Sequence, residues 1–384
     1  MKKASKLLAL LLCLAMIVSL TSACGSEPAE EETPAPAESE TPAESETPAG
    51  EEPAEENYLD KEPLRIGTMP HQMGVSLYYA DKYGLFEEAG INVDLAIFSG
   101  GAAINEAVGA GELDGCISGL ASVYSIANGL LTMVGEVDSV GSDCIVVRND
   151  SDILSVQGEI AEHPEMYGSA DTLRGKSFIC QLGQAHQFYI EKYISQFGLT
   201  ADDITFINME DAAGAQAFMT GNGDAIGTKM PYCYDMVVTD GGYTIAASVE
   251  DATGIEIRDP VLFTPETIEN RREEIIIFLQ VIYGLINDWA NDYESYKAAV
   301  NEFYNDNGKE FDDAKVDYEF ALNRLFTTDV VSGEDYYMGE GMQAVADFYG
   351  ETGAIATENV NIYEHYDSSL LSEALGVEVK SFSK

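Results

Sequence analysis

The chain has 384 residues, and 67 acidic side chains against 20 basic ones leave a formal net charge of −47. A surface so acidic repels phosphate backbones and anionic headgroups, which argues against nucleic acid and against a basic membrane-binding patch. Hydrophobic residues make up 46% of the chain, ample for a core, and the length beyond residue 57 suits about two domains.

At the N-terminus Lys2, Lys3 and Lys6 precede an almost unbroken apolar run over residues 7–20. That run is shorter than the roughly 20 apolar residues of a membrane-spanning helix. A basic head and a short apolar stretch followed by small residues have the layout of a secretory signal peptide, assigned to residues 1–23. Thr21-Ser22-Ala23-Cys24 then resembles a bacterial lipobox, with Thr21 standing where that motif has Leu, Val or Ile. The resemblance implies lipidation of Cys24; the alternative is ordinary cleavage with Cys24 as a passive thiol. Residues 25–56 contain no aromatic, basic or large aliphatic side chain and are filled by Glu, Pro, Ala, Ser and Thr. Nothing there offsets the entropy of ordering a backbone, so residues 24–57 are expected to form a disordered, extended tether.

From there the hydrophobic rhythm alternates between strand and helix. Residues 64–68 read as a strand, 75–83 as a helix, 92–98 as a strand and 102–108 as a helix. A short strand at 115–118 precedes a helix through 121–127, and apolar runs follow at 131–137 and 144–147. A polar stretch over 149–174 interrupts the pattern; its part over 149–170 is expected to loop on a second lobe. The alternation then restarts, with strands at 176–181, 205–208, 225–228 and 243–248 and helices at 185–197 and 214–220. Strands alternating with helices of about ten residues indicate largely parallel sheets covered by helices. Thr264-Pro265 reads as an N-cap followed by an N1 proline, opening a helix that continues through Trp289. Further helices are expected at 294–304, 313–325 and 342–349. The expected division is 58–147 for the first part of lobe 1, 148–246 for lobe 2, and 247–384 for the return to lobe 1 with C-terminal helices.

Glycine clusters at 109–111 and 221–223 each end a helix three residues before an aspartate, Asp114 or Asp224, that opens a strand. They are helix caps, because no Gly-x-Gly-x-x-Gly is present. Cys116, Cys144, Cys180 and Cys233 lie singly in apolar contexts and form no Cys-x-x-Cys pair, which disfavours zinc. They are read as buried free thiols, with disulfides as the alternative. Neither Gly-x-Ser-x-Gly nor His-Glu-x-x-His occurs. The segment 304–308 hints at a calcium loop, but Ala314 stands where the acidic ligand belongs, so a surface turn is expected.

A family resemblance becomes visible in the order of several segments. Residues 64–68 and 77–93 (LYYADKYGLFEEAGINV) look like the opening of the nitrate/sulfonate/taurine-type solute-binding proteins of ABC importers, similar also to the thiamine-pyrimidine-precursor binding family. Ser99-Gly100-Gly101 and residues 111–121 match the next two loops of that group. Gly183-Gln184-Ala185-His186 resembles its Gly-Ser-Ser-Ala-His helix start, and Met230-Pro231-Tyr232 sits where it often has Asp-Pro-Tyr. The resemblance implies an α/β protein with the type II periplasmic-binding-protein fold, two α/β lobes with a hinge and a helical C-terminal part. It implies a monomer without cofactor or catalytic residues, lipid-anchored outside the cytoplasm, with a small solute and separate permease and ATPase chains as partners.

Four loops that follow expected strands and begin helices can face a cleft between lobes. They contribute His71 and Gln72; Ser99, Gly100 and Gly101; Ser118 and Gly119; and Gln184, Ala185 and His186. Helix N-termini there favour negative or polar groups. Lys229, at a strand end, reads either as a partner for an anionic ligand or as a solvated surface lysine. His71 and His186 read as neutral hydrogen-bonding groups or as structural ones, and Tyr232 as stacking on a ligand or packing in its lobe. The rival readings are a pyrimidine-precursor enzyme, a metal-binding lipoprotein using His71 and His186, and a surface interaction module.

Overall fold

The computed structural model describes residues 57–384. The expected signal peptide, Cys24 and almost all of the tether lie outside the described residues. Ten strands carry the architecture: β1 (Leu64–Thr68), β2 (Val93–Ile97), β3 (Gly115–Ile117), β4 (Thr132–Ser139), β5 (Cys144–Arg148), β6 (Ser177–Cys180), β7 (Thr205–Asn208), β8 (Ala225–Thr228), β9 (Tyr243–Ser248) and β10 (Arg258–Phe263). They form two five-stranded sheets, ordered β2-β1-β3-β10-β4 and β7-β6-β8-β5-β9. In the first, β1 lies parallel to β2 and β3, with Ile66 opposite Leu95 and Gly115, while β10 closes the sheet antiparallel to β3 and β4. In the second, β6 lies parallel to β7 and β8, while β5 runs antiparallel to β8 and β9.

The parallel halves set the geometry that matters for function. In each sheet three neighbouring strands point the same way, so their carboxyl ends and the loops that follow gather along one edge. The run 144–147, grouped with the first lobe from sequence, belongs to the second sheet. β5 pairs there with β8 and β9, so the crossover falls at residues 140–143. Apolar content alone does not tell which sheet receives a buried strand; hydrogen-bond partners do.

A second difference is β10, which the sequence reading left out. Arg258, Asp259 and Pro260 open it, an unpromising start for a buried strand, yet every residue from Arg258 to Phe263 is buried. Tertiary partners make this tolerable. Arg258 donates to Glu136 at 3.4 Å, to Glu256 at 2.8 Å and to the Tyr337 carbonyl at 3.1 Å, and lies over the rings of Phe326 and Tyr336. Glu136 in turn accepts the Tyr336 hydroxyl at 2.7 Å.

The helix opened by Thr264 and Pro265 is capped as expected, with the Thr264 side chain accepting from the Thr267 amide, but it stops at Asn270. A separate helix, Arg272–Asn291, follows. Helices Tyr293–Asp306, Asp313–Leu322, Thr328–Val331, Glu340–Thr352 and Ser368–Leu375 follow in the C-terminal part, Thr328–Val331 and Ser368–Leu375 unforeseen. Residues 149–169 form a short turn-rich excursion that buries Ile153 and Met166 against the second sheet. One apolar cluster fills the first lobe and takes in Phe188 and Tyr189 of the second, and another joins Val75, Trp289 and Phe303 to Cys144, Met230 and Met236 of the second. All four cysteines in the described residues are free and buried.

Two crossovers link the sheets and are bonded to each other. The Val140 amide donates to the Ile257 carbonyl at 2.9 Å, and the Val249 amide to the Asp143 carbonyl at 3.0 Å. The Asn323 carboxamide accepts from the Gly141 and Ser142 amides at 2.6 and 2.9 Å. No helix among the described residues is long and apolar enough to cross a membrane.

Candidate functional site

The loops at the carboxyl edges of the two sheets face each other across a cleft holding two adjoining chambers. One, of about 40 Å³, is lined from the first sheet by His71, Gly100, Gly119 and Asp259, and from the second by Gln184, His186 and Lys229. The other, of about 120 Å³, shares His71 and Lys229 and adds Ser99, Tyr232 and Lys309.

Helix starts place many of these groups. The helix Gly101–Gly109 begins directly after β2 and its loop, and Ala185–Gln196 begins after β6. Gly101 is glycine for a steric reason: a Cβ there would stand 2.9 Å from the Ala121 Cβ and 3.3 Å from Gln184 Oε1. The two lobes therefore meet closely at this point.

Of the residues expected from sequence, His71, Ser99, Gly100, Gly119, Gln184, Ala185, His186, Lys229 and Tyr232 line one chamber or both. Three do not. Gln72 is buried away from both chambers, accepting from Asn323 at 2.6 Å. Ser118 is fully buried, and Gly101 packs against the wall residues Ala121 and Gln184. These three lie on the correct loops, but the 3₁₀ turn Gln72–Gly74 directs Gln72 inward, and Gly101 is closed off from the chambers by Ala121 and Gln184 packed against it. Nothing between residues 149 and 170 lines either chamber.

Sequence reasoning missed the carboxylates. Asp211 begins the helix Asp211–Met219 after β7, a strand-to-helix loop of the second lobe left out of the expected set. Asp143 ends the first crossover and Asp259 lies in β10, so neither shows a sequence signal once those elements are misplaced. Lys229 Nζ sits 2.7 Å from Asp211 Oδ2, so the cation is neither a solvated lysine nor without an anion. Burial alone pushes the Asp211 carboxyl up, but Lys229, with His186 and His71, outweighs it and holds the group well below the usual carboxylate range. Burial also works against the Lys229 charge, and Asp211 with Asp143 more than restores it.

The two histidines differ in surroundings. Burial, with Lys229 and Lys309 nearby, drives the His71 imidazole well below its ordinary value, so it is neutral at pH 7. His186 is buried with Nε2 3.3 Å from Asp143 Oδ2 and Nδ1 3.7 Å from Asp211 Oδ1. The first distance is short, yet neither His186 Nε2 nor Asp143 Oδ1 has an aligned hydrogen bond. Lys309, donating to the Pro70 carbonyl at 2.5 Å, is brought down to about 7 by burial and then by Lys229. Asp259 faces Asp138 across the β10–β4 ladder; burial and then the Asp138 charge raise the Asp259 carboxyl well above its usual range. No group of three or more His, Cys, Asp or Glu among the described residues is arranged to hold a metal ion.

The NMT1-like family model matches residues 58–282, more than half of the chain. The chain belongs to the NMT1-like family. Another similar protein, from Brachyspira hyodysenteriae, is named as an ABC transporter periplasmic binding protein; it is 24% identical over 318 residues, covering 82% of this chain and 90% of its own. Among solved structures, the alkanesulfonate-binding protein SsuA of Xanthomonas axonopodis superposes with a TM-score of 0.61 at 18% identity, covering 79% of this chain and 98% of SsuA. The nitrate-binding protein NrtA of Synechocystis gives 0.61 at 14% identity, covering 82% and 88%. This family member therefore has the periplasmic-binding-protein fold, as its sequence led one to expect.

Proposed function

We propose that this protein is the solute-binding component of an ABC importer, lipid-anchored through Cys24 outside the cytoplasm. It captures a small polar or anionic organic solute between its lobes and hands it to a permease driven by ATPase subunits on separate chains. The observation that carries this reading is the cleft itself. Buried polar side chains from both sheets converge at the carboxyl edges of parallel strands, where open α/β sheets bind ligands. The name of the Brachyspira relative points the same way. Solutes of the sulfonate, nitrate and taurine type and pyrimidine precursors form the starting set.

Contacts to both lobes at once let a solute select the closed arrangement, with the two crossovers as hinge. His71, Ser99, Gly100, Gly119, Gln184, Ala185, His186, Lys229 and Tyr232 are the proposed contacts. The role is capture by a monomer, without cofactor or catalysis. The test is a thermal-shift screen followed by small-angle scattering. A true solute at one hundred times its dissociation constant stabilises the protein by ~2.7 kcal/mol and reduces the radius of gyration. Stabilisation without compaction would count against lobe closure. For the anchor, Cys24→Ala is expected to abolish lipid attachment, leaving the protein released or unprocessed; unaltered lipid attachment and membrane association would refute it.

A further inference from the structure

We infer that Asp138 and Asp259 share one proton when the lobes are together, and that lobe closure takes this proton up, so that capture weakens as the surroundings turn alkaline. This rests on the solute-binding reading and adds a regulation to it. The two residues stand directly opposite each other on β4 and β10, each 2% exposed. Opposite side chains of an antiparallel pair have Cβ atoms about 4.5–5.5 Å apart, too close for two buried carboxylates to ionise together. Among the described residues no cation pairs with either. Lys229 is engaged by Asp211 at 2.7 Å, Arg258 by Glu256 at 2.8 Å and Glu136 at 3.4 Å, and Lys309 donates to the Pro70 carbonyl. His71 is neutral, and His186 lies 3.3 Å from Asp143, a third carboxylate that presses on Asp259. Tyr189, whose hydroxyl burial keeps protonated, faces Asp259 from the second lobe. Asp138 faces Gln72 and, from the helical part, Tyr283, Tyr296, Tyr304 and Glu319, none of them cationic. Its Oδ1 has no aligned hydrogen bond. Burial raises both carboxyls, and the Asp138 charge raises Asp259 further, so a proton held between them removes a charge that is costly to bury.

The position of the pair ties its proton to the hinge. Asp138 precedes by two residues Val140 of the first crossover, and Asp259 follows by two Ile257, whose carbonyl accepts the Val140 amide. The ladder slips directly after Asp259, an irregularity of the kind that lets a strand bend. Asp259 also lines the chamber whose other wall is Gln184, His186 and Lys229 of the second lobe. Parting the lobes brings water to Asp259 and lowers its hold on the proton, because burial is the largest cause of that hold. Taking Lys229 away works in the opposite direction and is the smaller effect. The closed arrangement therefore binds a proton that the open one releases. By linkage, closure weakens up to about tenfold per pH unit wherever that difference persists.

The test needs no solute. Full-length protein in detergent is titrated from about pH 5 to about pH 9, above the ordinary aspartate value of about 3.9. Infrared difference spectra are expected to show the C=O stretch of a protonated carboxyl disappearing within this window. Asp138→Asn and Asp259→Asn, nearly isosteric, each supply an amide donor in place of the shared proton and are expected to remove that component. Glu319→Gln, which deletes another carboxyl raised by burial, is expected to leave it. Over the same window hydrogen exchange, corrected for its intrinsic pH dependence, is expected to accelerate at the cleft-wall segments 118–121 and 184–187 in the unaltered protein and not in Asp259→Asn. A carboxyl titration confined to the ordinary range, or an exchange rise that survives Asp259→Asn unchanged, would overturn the inference. Should neither variant fold, labelling the aspartate carboxyls with a heavy carbon isotope decides in the unaltered protein, because the vanishing band shifts only if it belongs to aspartate. A flat titration beside a positive solute screen overturns this inference alone; a failed screen overturns the solute-binding reading on which it rests.

Discussion

Replacing Lys229 by methionine removes one half of a pair whose charged atoms lie 2.7 Å apart, with side chains only 14% and 22% exposed. At that separation the direct attraction is about 6 kcal/mol for an effective dielectric of about 20. Most of it is offset by the cost of dehydrating both groups, but deleting one partner leaves the other's dehydration uncompensated. The expected loss of stability at pH 7 is therefore about 3 kcal/mol, the low end of the range for buried pairs, because some solvent reaches both groups. The pH dependence has a definite sign. In the unaltered protein the Asp211 carboxyl is depressed, so the pair stabilises the fold above the unfolded value of about 3.9 and that contribution fades as pH falls lower. Without Lys229, burial raises the same carboxyl, and the penalty grows as pH rises past about 4. Urea denaturation should thus show a deficit that is large at pH 7 and small near pH 3.5. Adding Asp211→Asn should recover at least half of it, as a double-mutant cycle measures. A single-variant loss below about 0.5 kcal/mol, or no recovery in the double variant, would refute the reasoning.

Two further outcomes follow from buried groups elsewhere. Glu319 is 1% exposed and accepts the Tyr304 hydroxyl at 3.1 Å, and burial pushes its carboxyl up to about 8. A carboxyl raised on folding costs stability as pH climbs from about 4.3 toward that value. Glu319→Gln, a neutral mimic, should flatten the fall in stability between pH 5 and 8.5, and identical urea-denaturation profiles for the two proteins would contradict this. At the first crossover a Cβ on Gly141 would collide with the Leu322 carbonyl oxygen, a backbone atom that cannot swing aside. Gly141→Ala should cost about 1–3 kcal/mol and loosen the Asn323 bonds to the Gly141 and Ser142 amides; an unchanged denaturation midpoint would show that the crossover yields.

How much of the site was legible differs from residue to residue. Loops following parallel strands were placed correctly because the signal is local: an apolar run, a glycine, then a helix start. His71, Gly100, Gly119, Gln184 and His186 were found by that logic, and they do line the cleft. Gln72 and Ser118 stand on the same loops and turn inward, since one residue of rotation in a tight turn exchanges cleft-facing for core-facing, while Gly101 packs against Ala121 and Gln184 of the wall.

By itself the sequence determined two α/β units, the capped helices of the C-terminal part and the loops bearing the cleft's histidines, because periodicity, caps and turn chemistry act over a few residues. Only the tertiary structure decided that residues 144–148 join the second sheet and that Arg258–Phe263 is a buried strand. It also decided that Lys229 meets Asp211 and that Asp143 lines the cleft. These are contacts between distant segments, and the charges concerned depend on what excludes water around them. A residue's type and its immediate neighbours in the chain do not carry that information.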